Sequence, residues 1–131
     1  MFPGRRNELG TPVIYAAQTS SLCALEVLAG ARELASDYVL VEIEIPDQVS
    51  IHEAPVSDLP AEWNADVIGE ATRRLGAEWV AAGATAILSV PPSVNPHERN
   101  FLLNPAHPDF HRLAFRPPQP FSFSDRLKRR P

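Results

Sequence analysis

Apolar and polar residues alternate most clearly over Tyr38–Ile45, YVLVEIEI. Val39, Val41, Ile43 and Ile45 fall on one side and Leu40, Glu42 and Glu44 on the other. The pattern predicts a strand with one packed and one largely wet face, ended by Pro46. Thr11–Ala17, TPVIYAA, is short and rich in β-formers and reads as a buried strand. Ser20 or Ser21 then supplies an N-cap for LCALEVLAGAREL, a helix apolar nearly all round its first two turns and therefore expected to be buried.

Asp47–Asn64 has two prolines and little periodicity, and reads as loop. Asn64 caps a predicted helix over 65–82, whose stripe of Ile68, Ala71, Leu75 and Trp79 has helical spacing. Gly83 follows where a left-handed C-terminal residue is expected. Ala84–Val90 is a further strand, stopped by Pro91-Pro92. Asn100–Asn104 and Phe110–Phe115 read as short strands joined by the turn PAHPD. Most of the 14 prolines lie after position 90, so short strands and loops are expected to wrap a helix-bearing first half. Strands outnumber the two principal helices without regular βαβ alternation. The fold class expected is α+β with a mainly antiparallel sheet.

Composition narrows the picture. The chain has 131 residues and fits one domain, 1–131, with a proline-rich, basic end at 116–131. Its net charge of −4 is uneven: residues 112–131 hold six Lys/Arg against one Asp, leaving an acidic body. An acidic body argues against nucleic acid as the main partner, because phosphate binding needs a basic face. A single cysteine, Cys23, excludes an internal disulfide framework and fits a reducing, cytoplasmic compartment. No run approaches the roughly 18 apolar residues of a membrane span, and no signal-peptide pattern opens the chain.

Candidate chemistry gathers in Gly4–Glu26, GRRNELGTPVIYAAQTSSLCALE. Glu26 has Leu22, Cys23, Ala29 and Gly30 as its helical neighbours, with no basic partner among them. It reads equally as an exposed helix-edge glutamate or as a pocket carboxylate facing small neighbours. Arg5 and Arg6, between Gly4 and Gly10, suit anion recognition, although solvated arginines are the commoner outcome. Tyr15 near a strand end is more often core than a ligand plate, and Ser93 more often a turn residue than a cleft hydroxyl. His107 and His111 are spaced H-x3-H, but prolines flank His107 and no cysteine is near, so zinc is disfavoured. Cys23 reads as a packed small hydrophobe rather than a nucleophile.

Together these stretches resemble the RES domain, a family named for an arginine, a glutamate and a serine. GRRNELGTPVIYAA is similar to the family's GRWN-x-x-G-x-P-V-x-Y segment, and SSLCALEVL to its following helix with the hallmark glutamate. LGAEWVAAGATAILSVPPSVNPHERNFLLNPAHPDF resembles G-x-x-W … V-P-S … N-x-L-x-N-P-x-H, and FSFSDRL the closing F-x-F-D-x-R-L. The resemblance covers nearly the whole chain, with the motifs in order.

It implies an ADP-ribosyltransferase-like fold and a bacterial toxin that consumes NAD at the nicotinamide ribose, by phosphorolysis or hydrolysis. Some members instead modify a protein, and a helix-turn-helix antitoxin of Xre type usually restrains the toxin. By position, Glu26 corresponds to the catalytic glutamate, while Arg5, Tyr15, Ser93 and Asn100 correspond to NAD-binding positions. No metal is implied. Arg6 stands where the family has tryptophan. Family members also carry an earlier strand with a further arginine, so an N-terminally short domain with an exposed strand edge is expected. The alternative is an inactive domain that keeps antitoxin or partial NAD binding; a plain α+β scaffold fits the motif series least well.

Overall fold

The computed structural model describes residues 12–30, 33–54, 70–92, 95 and 97–128. Four strands form the main sheet: β1 (Ile14–Ala17), β4 (Ile51–Glu53), β5 (Ile87–Val90) and β6 (Asn100–Leu103). Their order is β1-β6-β5-β4, antiparallel except for the β4–β5 pair. Two small antiparallel pairs lie beside it. β2 (Tyr38–Leu40) pairs with β8 (Gln119–Phe121), and β3 (Ile43–Glu44) pairs with β7 (Ala114–Phe115). Helices α1 (Ser20–Gly30), α2 (Glu70–Ala82) and the short α3 (Asp125–Lys128) complete the described elements, with a 3-10 helix at Pro108–Arg112. The content is mixed, and antiparallel pairing dominates.

Alternation along the strands divides the core in two. One side of the main sheet buries Val13, Leu88, Val90 and Leu102 with Trp79 and Leu75 of α2. The other buries Ile87, Leu103, Val49 and Leu113, with Ile43, Ile45 and Phe110 packed on them. β5 is buried at every position because both its faces are covered and β6 and β4 flank it. The indole Nε1 of Trp79 donates to Thr85 Oγ1 at 3.0 Å, and that hydroxyl donates to the Ile87 carbonyl at 2.9 Å. Gly83 ends α2 at φ +64°, its N–H donating to the Trp79 carbonyl, as the sequence predicts.

Several expectations are corrected. The stretch 38–45 is not one strand: Tyr38 and Leu40 point inward, then Ile43 and Ile45, so the inward phase slips by one between them. Val39, expected inside, is 62% exposed, and Val41 is exposed as well. The break follows from its partners. β7 and β8 are separated by Pro117-Pro118, which have no N–H to continue a ladder. Arg116 spans the gap, its N–H donating to the Glu42 carbonyl and its guanidinium pairing with the Glu44 carboxylate.

The predicted strand 110–115 begins instead as the 3-10 helix, with Pro108 at its start. Its cap is His107, whose Nδ1 accepts from the Asp109 N–H at 3.0 Å. β4 lies within the stretch read as loop; two prolines masked it. The cap of α1 is Thr19 rather than Ser20 or Ser21, with the Leu22 N–H donating to Thr19 Oγ1 at 3.1 Å. Nor is α1 buried all round: Leu22 is its one fully buried residue and Leu25 is 40% exposed. The helix packs along a sheet edge, which covers only one side of it. Asn64 and residues 65–69 lie outside the described residues.

Leu102, central in the sheet and fully buried, is expected to lose about 2–5 kcal/mol of stability on substitution by Ala. Leu25→Ala on the exposed side of α1 should cost less than about 1 kcal/mol. Urea unfolding of the two variants side by side checks the ranking.

Candidate active site

β1 leads into α1 through Gln18 and Thr19, and the segment 98–100 is stitched onto that turn. The Gln18 N–H donates to the Arg99 carbonyl at 3.0 Å, and the Arg99 N–H donates to Gln18 Oε1 at 2.9 Å. Thr19 Oγ1, while accepting from the helix, donates to Glu98 Oε1 at 2.8 Å. The cap of α1 is therefore also tied to the strand entering from the other end of the sequence. This fixes where the helix starts, and so where its later residues project.

Asn100 is the first residue of β6 and pairs with Ala17 on one side and Val90 on the other. Its Nδ2 donates to Glu26 Oε2 at 2.7 Å. Residues paired across a ladder project to the same face. Tyr15 and Ala17 therefore share a face with Leu102 and Asn100. The structure thus brings Glu26, Asn100 and Tyr15 to one side of β1 and β6. Asn100 is only 9% exposed, and its Oδ1 is buried with no hydrogen-bond partner among the described residues. Glu26 is half-buried and Tyr15 is 45% exposed. Arg5 and Ser93 lie outside the described residues.

Among the described residues β1 pairs on one side only, with β6, so side chains of both its faces border the open edge. A groove of about 760 Å3 runs there, its wall including Tyr15, Thr19 and Cys23 from the first quarter of the chain. Glu42, Phe101 and Phe115 belong to the same wall. Glu26 is not on it; Cys23, one helical turn earlier, is. The carboxylate and this groove are neighbours along α1 rather than one concavity.

Burial and the nearby Glu26 carboxylate push the Cys23 thiol up, partly offset by a hydrogen bond with the Ala17 backbone. The thiol is thereby held protonated and poorly nucleophilic, which agrees with a packing role. Of the histidine pair, His107 has committed Nδ1 to its cap and His111 Nδ1 bonds the Pro108 carbonyl. Among the described residues no group of three or more His, Cys, Asp or Glu is placed to hold a metal ion.

Arg99 is the residue that sequence reasoning missed. Its Nε donates to Ser89 Oγ at 2.8 Å, and one terminal nitrogen donates to the carbonyls of Ser89 at 2.7 Å and Ala54 at 3.2 Å. One guanidinium thus ties the ends of β4 and β5 to the start of β6. The available signal was Ser89, a polar residue inside the otherwise apolar strand 87–90 that needs a buried partner.

The RES domain family matches residues 1–124. The chain is 36% identical over 131 residues to a Prs ADP-ribosylating toxin of Sphingobium sp. (strain YBL2), covering 97% of this chain and 81% of that protein. It is 38% identical over 115 residues to Toxin Res of Photorhabdus laumondii, covering 86% and 72% respectively. To Toxin Res of Yersinia enterocolitica it is 35% identical over 130 residues, covering 97% and 85%. The chain belongs to the RES domain family.

Two outcomes follow from this geometry. Arg99→Lys, which keeps the charge but loses the fork, is expected to destabilise the fold by about 1–3 kcal/mol in urea unfolding. At pH 8 Cys23 should alkylate more slowly than a free cysteine. Glu26→Gln should speed the reaction, because removing the negative charge favours the thiolate; iodoacetamide kinetics read both.

Proposed function

We propose that this RES-family chain is a toxin that consumes NAD by cleaving its nicotinamide–ribose bond on an ADP-ribosyltransferase-like fold. The observation that carries the reading is the Glu26–Asn100 pair: a half-buried carboxylate, fixed by one hydrogen bond, on the same face as an exposed tyrosine. The names of the toxin relatives support the toxin role.

In this reading the C1′–N bond breaks and its electron pair leaves with nicotinamide, which departs neutral. Positive charge develops on the ribose, and Glu26 is the catalytic residue that offsets it and holds a ribose hydroxyl. The acceptor oxygen bonds to C1′: an anionic phosphate oxygen does so directly, and a water oxygen does so while releasing one proton to solvent. Tyr15 stacks on the nicotinamide, Arg5 holds the pyrophosphate, and Ser93 contributes its hydroxyl to the ligand. The groove beside Tyr15 and Cys23 offers room for the remainder of the dinucleotide. The chemistry calls on no metal. An Xre-type antitoxin restrains the toxin in the cytoplasm. Transfer to a protein acceptor is the variant favoured by the name of the Sphingobium relative.

Incubation of the purified chain with NAD, with and without phosphate, tests this. Glu26→Ala is expected to lower the rate by about 10²–10³-fold. Product analysis separates ribose phosphate esters, free ADP-ribose and label carried on protein. NAD loss unaffected by Glu26→Ala would overturn the assignment.

A further inference from the structure

We infer that Asn100 is a positioning residue for Glu26, selecting one orientation of its carboxylate, and does not itself touch the dinucleotide. The inference rests on the reading of Glu26 given above. A direct ligand contact needs a side-chain atom that a ligand can reach. Asn100 has no such atom on offer: its Nδ2 is committed to Glu26, and its Oδ1 is shut away from solvent.

The amide can point only one way. Turned over, Oδ1 would meet the carboxylate oxygen lone pair to lone pair, so the donor must face Glu26. At 2.7 Å this bond is in the short range of charge-assisted pairs. The bond is made to Oε2, so in this reading Oε1 is the oxygen that takes the incoming hydroxyl. The support beneath the amide is stiff. Asn100 is paired in the ladder on both sides, and the residue before it is tied by five hydrogen bonds, three of them from its guanidinium. Glu26, by contrast, projects from a helix with three rotatable bonds, and without a tether its carboxylate would sample several rotamers.

The buried, unpaired Oδ1 points the same way. A buried oxygen without a donor is a cost to the fold, so a leucine of similar shape should hold the structure at least as well. An asparagine kept for its Nδ2 towards Glu26 explains why the costly oxygen is there.

The test combines kinetics, stability and a spectroscopic readout. Asn100→Leu is expected to lower kcat for NAD about 10- to 100-fold, with KM within about twofold and Tm unchanged or higher. Asn100→Asp places a second carboxylate against Glu26 and should lose activity most at high pH, regaining part of it as the pH falls. In the labelled wild-type chain, the two side-chain amide protons of Asn100 should be well separated and should move together in Glu26→Ala. A raised KM with kcat unchanged would make Asn100 a ligand contact and overturn the inference. A lowered Tm with wild-type kinetics per folded molecule would make it structural and do the same. Amide protons indifferent to Glu26→Ala would show that the bond is not made in solution. A wild-type chain without NAD turnover would instead remove the functional reading and its catalytic consequence, and the amide spectrum would then decide the pairing.

Discussion

The entrance to β6 is the constraint on which the rest of the structure depends. Two consecutive residues there do two different jobs because neighbouring side chains near a strand project to opposite sides. Arg99 reaches across the ends of β5 and β4, and Asn100 reaches α1. Through their backbones the same residues take Gln18 and Ala17 of the β1–α1 turn. One short segment thereby sets the distance between the sheet ends and the angle at which α1 leaves the sheet. An arginine suits the first job, since its planar fork satisfies a hydroxyl and two carbonyls at fixed spacing, which an ammonium on a flexible stem does not.

The rest of the second half supplies edges and covers. Tyr38 meets Phe123 edge to face, with ring centroids 5.5 Å apart, and Phe121 meets Phe123 in the same way at 5.2 Å. These rings hold β8 against β2 where prolines limit the hydrogen-bond ladder to a few residues. The aromatic contacts make up for the short ladder. Pro117-Pro118 also explain why 38–45 is divided between two partners: each half follows a different strand, and its inward face follows that partner.

The site inherits its character from an edge. α1 lies along β1, so its carboxylate is half-covered rather than sunk in the core, and the groove beside it stays open. Partial burial suits a carboxylate held by one hydrogen bond, because full burial of the charge would cost more than that bond returns. Cys23, one helical turn earlier, feels that charge.

The sequence by itself determined the repeating elements and the family. The core strand 87–90, the strand 100–103, the helix ending at Gly83 and the ordered motifs around Glu26 were all legible, because periodicity, breakers and caps are local. Glu26 was legible as a candidate but not as a site: its helical neighbours gave even odds between an exposed edge and a pocket. Only the tertiary structure shows it half-buried and bonded to Asn100, which lies 74 positions away and meets it through sheet register. Arg99 was hidden for the same reason, its acceptors lying 10 and 45 residues back along the chain. The split of 38–45 was invisible too, because a strand's inward face is chosen by the strand it pairs with. Where a residue's role is set by neighbours close in the chain, the sequence declares it; where neighbours arrive through pairing, only the fold does.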